Sequence, residues 1–183
     1  MKVQKRSRGT DIFFICFFAL IFLCATSFAP AMSALAAQNV NFAVRADILL
    51  AAVISLSLLR GKKYAAYFAV ITGFLFDLTV GNPYCFSPFV FYLCAYFAPT
   101  AASPFSHKTP LSATLVGCML LPIKSIITVF YLIAVWKDAT IPTIIFRAAL
   151  PEYLVNVLAV CVVFSVMRIL MALFKIPVKE GTR

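Results

Sequence analysis

Long apolar segments separated by short polar turns constrain this chain more than any other feature. The first of them, "IFFICFFALIFLCATSFA" from Ile12 to Ala29, contains no charged residue. At about 1.5 Å per helical residue it is close to the length that crosses a bilayer core. The chain is 63% hydrophobic and 12% charged, whereas a soluble domain carries about a quarter charged residues. The segments do not alternate apolar and polar residues as β-barrel strands do, so we expect an all-α, polytopic membrane helical bundle.

We predict six spans within a single integral membrane domain of residues 1–183. Gly81-Asn82-Pro83 terminates the third span, and Thr109-Pro110 supplies an N-cap and a first-turn proline for the fifth. A short interfacial helix over 141–150 precedes the sixth. A cleaved signal peptide ending near Ala36 is the alternative interpretation of the first segment. The six spans are expected at about 12–29, 44–59, 64–80, 84–100, 111–135 and 151–174.

Basic residues are distributed unequally between the two sides of this predicted bundle. The net charge is +10, and if the N-terminus is inside, the outer turns hold only Arg45, Lys137 and Arg147. The positive-inside bias therefore predicts that both termini are cytoplasmic. The cations do not form a basic stripe interleaved with stacking aromatic residues, so we expect no nucleic-acid partner. The inner side holds Lys2, Lys5, Arg6, Arg8, Arg60, Lys62, Lys63, Lys108, Arg168, Lys175, Lys179 and Arg183.

The inventory of reactive residues argues against an enzyme. The six cysteines form no CxxC pair and nearly all fall inside apolar segments, where cysteine packs as a small hydrophobic residue. His107, the only histidine, lies in a polar turn. The sequence contains no HExxH, GxSxG or phosphate-binding glycine loop. We therefore predict no catalytic residue, no cofactor and no metal.

Three ionisable residues fall within the predicted spans: Asp77, Lys124 and Glu152. Each costs at least about 2.5 kcal/mol at the middle of a membrane unless it is paired or hydrated. Glu152 follows Pro151 in the first turn of the last span, where the helix macrodipole favours an anion. Asn156 lies one turn further along the same face, and we interpret it as a helix-packing residue.

Asp77 has no such explanation. In "GFLFDLTVGNPY" it stands in the last turn of its helix, where the macrodipole disfavours negative charge. Gly73, Asp77 and Gly81 are spaced by four residues and share one face, and small residues there let another helix approach closely. Asp77 therefore needs a cation, a donor or water. Three surroundings remain open: an ion pair with Lys124 at equal depth, a wet outer cavity or a partner's helix, and exposure at the outer interface.

The segment that contains Gly73-Phe74-Leu75-Phe76-Asp77, followed by Gly81, resembles the rod shape-determining protein MreD family. The closing segment "PEYLVNVLAVCVVFSVMRIL", with Asn156, is also similar, so the resemblance covers roughly residues 45–100 and 150–172. It implies a non-enzymatic component of the cell-wall elongation machinery in the bacterial cytoplasmic (inner) membrane. The partners that it implies are an MreC-like bitopic protein, MreB, and RodA with its transpeptidase.

That family also looks related in fold to the substrate-binding S components of energy-coupling-factor vitamin transporters. The resemblance therefore implies an S-component-like architecture and an alternative function as a vitamin-binding subunit. Such a subunit needs an outer cavity lined by several hydrogen-bonding groups, and the outer turns offer few. A scaffold needs only close-packing faces and one or two polar anchors. We therefore interpret the residues singled out above as interaction or structural residues: Gly73, Asp77, Gly81, Lys124, Glu152 and Asn156.

Overall fold

The computed structural model describes residues 8–40, 47–80, 86–105, 109–135, 142 and 145–176, and it is all-helical over these residues. The helices coincide with the six segments that the sequence predicts, which confirms the all-α class. Two of them, over Pro110–Ile127 and Leu150–Leu173, are long and apolar enough to cross a membrane. The helices are α1 (Arg8–Val40), α2 (Ile48–Arg60), α3 (Lys62–Val80), α4 (Ser87–Ala101), α5 (Pro110–Val135) and α6 (Leu150–Leu173).

Helix α2 forms the centre of the bundle. It has 13 residues, and every one from Leu49 to Leu59 is buried. It contacts each of the other helices. A helix that is apolar on all sides is stable only when it is surrounded. At about 1.5 Å per residue α2 is roughly 20 Å long, which is shorter than a hydrocarbon core of about 30 Å.

The other helices surround α2 as two close pairs and one peripheral helix. The α3–α4 hairpin and the α5–α6 pair have the most extensive contacts, while α1 packs on α2 and α3. In the α5–α6 pair, a Cβ added at Gly117 would lie 3.4 Å from Val160. Helices α3 and α5 make no contact over the described residues, because α2 and α4 lie between them.

The ends of the helices follow from local chemistry. The predicted cap of α5 is present, because the Ser112 backbone N–H donates to Thr109 Oγ1 at 3.3 Å. Helix α1 continues to Val40, beyond the apolar segment, through an alanine-rich stretch of high helix propensity. The short helix expected over 141–150 is a π-helical turn, Ile145–Ala149, which runs directly into α6.

Candidate functional site

Asp77 is buried and binds the first residue of the next helix. Its side chain is 1% exposed. The Ser87 backbone N–H donates to Asp77 Oδ2 at 2.9 Å, and the Ser87 hydroxyl donates to Oδ1 at 2.5 Å. Ser87 begins α4, so the carboxylate lies at the positive end of the α4 macrodipole. The favourable interaction of the carboxylate with the N-terminus of α4 thus offsets its unfavourable interaction with the C-terminal end of α3.

Gly73 allows α4 to come this close. A Cβ at Gly73 would lie 2.6 Å from Pro88 Cα and 2.7 Å from Pro88 N, which is nearer than any real Cβ approaches a backbone atom. The predicted close approach of a neighbouring helix is therefore present at Gly73, one turn before Asp77. Gly81, the third member of the predicted face, lies outside the described residues.

Lys124 belongs to a second polar cluster. Its ammonium group forms ion pairs with Asp47 Oδ2 and Glu152 Oε1. The side chains of Lys124, Asp47 and Glu152 are only 16%, 7% and 13% exposed. We name these three residues the ion triad. It joins the start of α2, the middle of α5 and the first turn of α6.

The proposed pair between Asp77 and Lys124 is therefore wrong, and so is exposure of Asp77 at the interface. Equal depth is necessary for a pair in a bundle, but it does not make two helices neighbours. Asp77 lies on α3 and Lys124 on α5, and these two helices do not touch over the described residues. Each residue instead finds its partner on a helix that its own helix contacts.

Glu152 and Asn156 act together at the start of α6. Glu152 lies in the first turn, as predicted, but its carboxylate also binds Lys124. Asn156 is 2% exposed, and its Oδ1 accepts a hydrogen bond from the Asp47 backbone N–H at 2.7 Å. Helix α6 therefore holds the start of α2 in two ways. Asn156 binds the Asp47 backbone, and Glu152 shares Lys124 with the Asp47 side chain.

Both polar clusters supply hydrogen-bond acceptors to N–H groups at the starts of α2 and α4. Helix α4 has 15 residues, so like α2 it is shorter than a hydrocarbon core at about 1.5 Å per residue. The first N–H groups of a helix have no partner within it, and hydrocarbon offers them no water. Asp77 accepts the first N–H of α4, and Asn156 accepts the N–H of Asp47, which precedes α2.

Two members of these clusters, Asp47 and Ser87, are not among the residues that the sequence singles out. Asp47 directly precedes the apolar run that starts at Ile48, which is a helix-start signal. Ser87-Pro88 is the same type of signal as Thr109-Pro110 and indicates that α4 starts at 87 rather than 84. Hydropathy instead places both residues inside predicted spans, Asp47 within 44–59 and Ser87 within 84–100.

The remaining polar groups and the cavity give no sign of a reaction centre. In the described part of the chain, every buried side-chain nitrogen or oxygen has a hydrogen-bond partner, and no group of three His, Cys, Asp or Glu residues is arranged to hold a metal ion. One cavity of about 490 Å³ opens between α5 and the start of α6. The described residues of its lining carry no charge: Pro122, Ser125, Ile126, Val129, Phe130, Ile145, Ala149, Leu150 and Tyr153.

A double-mutant cycle tests the assignment of Asp77. Asp77→Ala removes a cap and leaves a buried N–H unpaired, so we expect a loss of about 2 kcal/mol in the free energy of unfolding in mild detergent. Asp77→Ala and Ser87→Ala should couple by more than about 0.5 kcal/mol. Asp77→Ala and Lys124→Met share no partner, so their effects should add to within about 0.5 kcal/mol. Coupling in the second cycle, with none in the first, would restore the discarded ion pair.

Comparison with known proteins identifies the family of this arrangement. No curated protein and no solved structure matches the chain. The family model described as rod shape-determining protein MreD matches residues 7–174. The match includes all six helices and both polar clusters, in a chain of 183 residues. The chain therefore belongs to the MreD family of rod shape-determining membrane proteins.

Proposed function

We propose that this protein is a non-enzymatic scaffold of the cell-wall elongation machinery in the bacterial inner membrane. The observation that carries the proposal is the family match over residues 7–174. The polar groups are consistent with a scaffold, because the described buried ones have hydrogen-bond partners. The contacts of Asp77, Lys124 and Asn156 join different helices. In this proposal the whole chain is one membrane domain with six spans and an S-component-like architecture.

The distribution of charge supports a fixed orientation. The start of α1 and the end of α6 lie at one end of the bundle, since the rings of Phe13 and Phe174 are 5.0 Å apart. Arg60 belongs to the same end, because its guanidinium lies over the Phe14 ring at 5.3 Å. Asp47, the start of α2, lies at the other end. By the positive-inside bias, the end with Arg60 is cytoplasmic, as are both termini in this proposal.

The scaffold acts through its outer helix faces. Large apolar side chains of α3 and α4 are exposed, among them Tyr67, Leu78 and Phe89. In a membrane such faces contact lipid or the helices of other proteins. We propose that they receive an MreC-like bitopic protein and a wall synthase such as RodA with its transpeptidase, and that MreB is reached from the cytoplasmic end.

The geometry offers little support for a vitamin-binding subunit. A polar ligand needs unpaired hydrogen-bonding groups around a cavity. The described buried groups are paired, and the residues that the structure describes around the 490 Å³ cavity carry no charge. The family match also points to cell shape rather than to transport.

A depletion strain tests the scaffold function. We expect cells to lose rod shape on depletion and to regain it with the wild-type chain, and an MreC-like bitopic protein to co-purify in mild detergent. Gly73→Leu should fail to restore rods and should reduce recovery of the partner, because it separates α3 from α4. The matched control is Gly117→Ala at the α5–α6 crossing, where the added Cβ would meet Val160 at an ordinary 3.4 Å and the Asp77–Ser87 contact stays intact.

Protein levels in the membrane must be measured for each variant, so that loss of function is separated from degradation. Normal rods with Gly73→Leu and Asp77→Asn, at normal protein levels, would remove these residues from the function. Co-purification of a vitamin and of ATPases in place of the bitopic protein would contradict the scaffold proposal.

A further inference from the structure

We propose that one end of the bundle carries a surface that binds the headgroups of anionic phospholipids. We name this surface the basic rim and define it as Arg60, Lys62, Lys63, Arg168 and Lys175. Four of these side chains are exposed, and Arg60 is half-buried. The only carboxylate at this end of the described chain is Asp11, which accepts a hydrogen bond from the Tyr64 hydroxyl at 3.0 Å. The surface is therefore strongly cationic.

Contacts between aromatic rings place the rim residues around the perimeter of the bundle. The start of α1 lies between the end of α6 and the turn that joins α2 to α3, since Phe13 contacts Phe174 and Phe14 contacts Tyr64. Lys175 follows the end of α6, and Lys62 and Lys63 begin α3. The cations thus follow the edge of the bundle, where lipid headgroups would surround it, rather than forming one compact patch.

Aromatic rings hold two of the cations at this edge. The Lys62 ammonium lies 4.7 Å from the centre of the Tyr96 ring on α4. The Arg60 guanidinium lies 5.3 Å from the Phe14 ring and 5.5 Å from the Tyr64 ring. Tyrosines and cations at the same level are typical of the membrane–water interface. This combination favours a lipid surface over an acidic protein as the occupant.

Lys175 occupies a backbone position that normally belongs to glycine. Its φ is +51°, the only positive φ at a non-glycine residue in the described chain. The Ile176 N–H donates to Met171 O at 2.9 Å and the Lys175 N–H to Ala172 O at 3.1 Å, which is the geometry of a helix C-terminal cap. A lysine there is less favourable than glycine for the backbone. Position 175 therefore carries a long cationic side chain although its backbone favours glycine.

The experiment compares lipid binding by the full-length protein in mild detergent, measured by native mass spectrometry. The probes are a phosphatidylglycerol and a phosphatidylcholine with identical acyl chains. We expect wild type to prefer phosphatidylglycerol, and the preference to fall as salt rises, because the screening length drops from about 10 Å at 0.1 M to about 3 Å at 1 M. Each rim cation removed should weaken phosphatidylglycerol binding by roughly fivefold.

Three variants separate this binding from folding. Lys62→Gln with Lys63→Gln removes two cations from the rim. Lys175→Gly removes one cation and suits the positive φ, so the thermal unfolding midpoint should stay equal or rise while lipid binding falls. The matched control, Lys137→Gln with Arg147→Gln, removes two cations that the sequence places beyond the other end of α5. It should leave phosphatidylglycerol binding unchanged.

Two results would overturn the proposal. One is equal binding of the two lipids by wild type. The other is that the rim variants bind phosphatidylglycerol as well as wild type does. That result would overturn the proposal even if those variants lost an acidic protein partner. None of these measurements depends on cell shape or on the bitopic partner, so the lipid surface and the scaffold function can fail separately.

Discussion

Lys124→Met is expected to destabilise the protein by about 3–5 kcal/mol, because it leaves two carboxylates uncompensated inside the bundle. Lys124 is the shared partner of Asp47 and Glu152, whose side chains are 7% and 13% exposed. Methionine fills a similar volume, so packing is conserved and only the charge is lost. The measurement is the free energy of unfolding on transfer from mild to denaturing detergent. We also expect α2 to become more accessible, because the triad fastens Asp47, the residue that directly precedes it.

Neutralising the two uncompensated carboxylates should reverse most of this loss of stability. Lys124→Met combined with Asp47→Asn and Glu152→Gln has no buried charge in the triad, and neutral replacements of buried ion pairs are often close to neutral in stability. The Asp47 backbone N–H keeps its bond to Asn156 in this variant. Lys63→Met, which removes an exposed cation, is the control and should change stability by less than about 0.5 kcal/mol. A triple variant no more stable than Lys124→Met would show that the triad is not an electrostatic unit.

The helices were predictable because apolar segments long enough to cross a bilayer have few alternatives to a helical structure. Besides the extension of α1 to Val40, sequence and structure differ where α2 and α4 begin, at 48 and 87 rather than at 44 and 84. These are the two shortest helices, so hydropathy alone extends them to the expected length of a span. The helix-start signals at Asp47 and Ser87 indicate the observed starts. The acceptors for the N–H groups at these starts come from neighbouring helices, at Asn156 and Asp77.

The polar residues that matter were also predictable, but their partners were not. The free-energy cost of placing an ionisable group in lipid singles out Asp77, Lys124 and Glu152 from the sequence alone. Which of them meet depends on the lateral order of the helices, and a single sequence does not contain that order. The sequence predicts the same depth for Lys124 and Asp77, but a contact also requires their two helices to be neighbours. The central position of α2, which brings Asp47 to Lys124, follows only from the packed bundle.

Gly73→Ala is expected to destabilise the protein by about 1–3 kcal/mol, although alanine is intrinsically the better helix residue by about 1 kcal/mol. The added Cβ would lie 2.6 Å from Pro88 Cα and 2.9 Å from Ser87 C, and backbone atoms cannot rotate away. Helix α4 must move outward, which lengthens the bonds from Ser87 to Asp77 as well. The effect should therefore be much smaller in an Asp77→Ala background, where those bonds are already gone.

Gly117→Ala is the matched control, because the same change at a second helix crossing should have the opposite sign. Its Cβ would meet Val160 at 3.4 Å, an ordinary contact with a side chain that can adjust. The gain in helix propensity then dominates, and we expect the unfolding free energy to stay equal or to rise by up to about 1 kcal/mol. Equal tolerance at positions 73 and 117 would mean that α4 does not depend on the gap at Gly73, and that Asp77 reaches Ser87 by adjustment of the turn between the two helices.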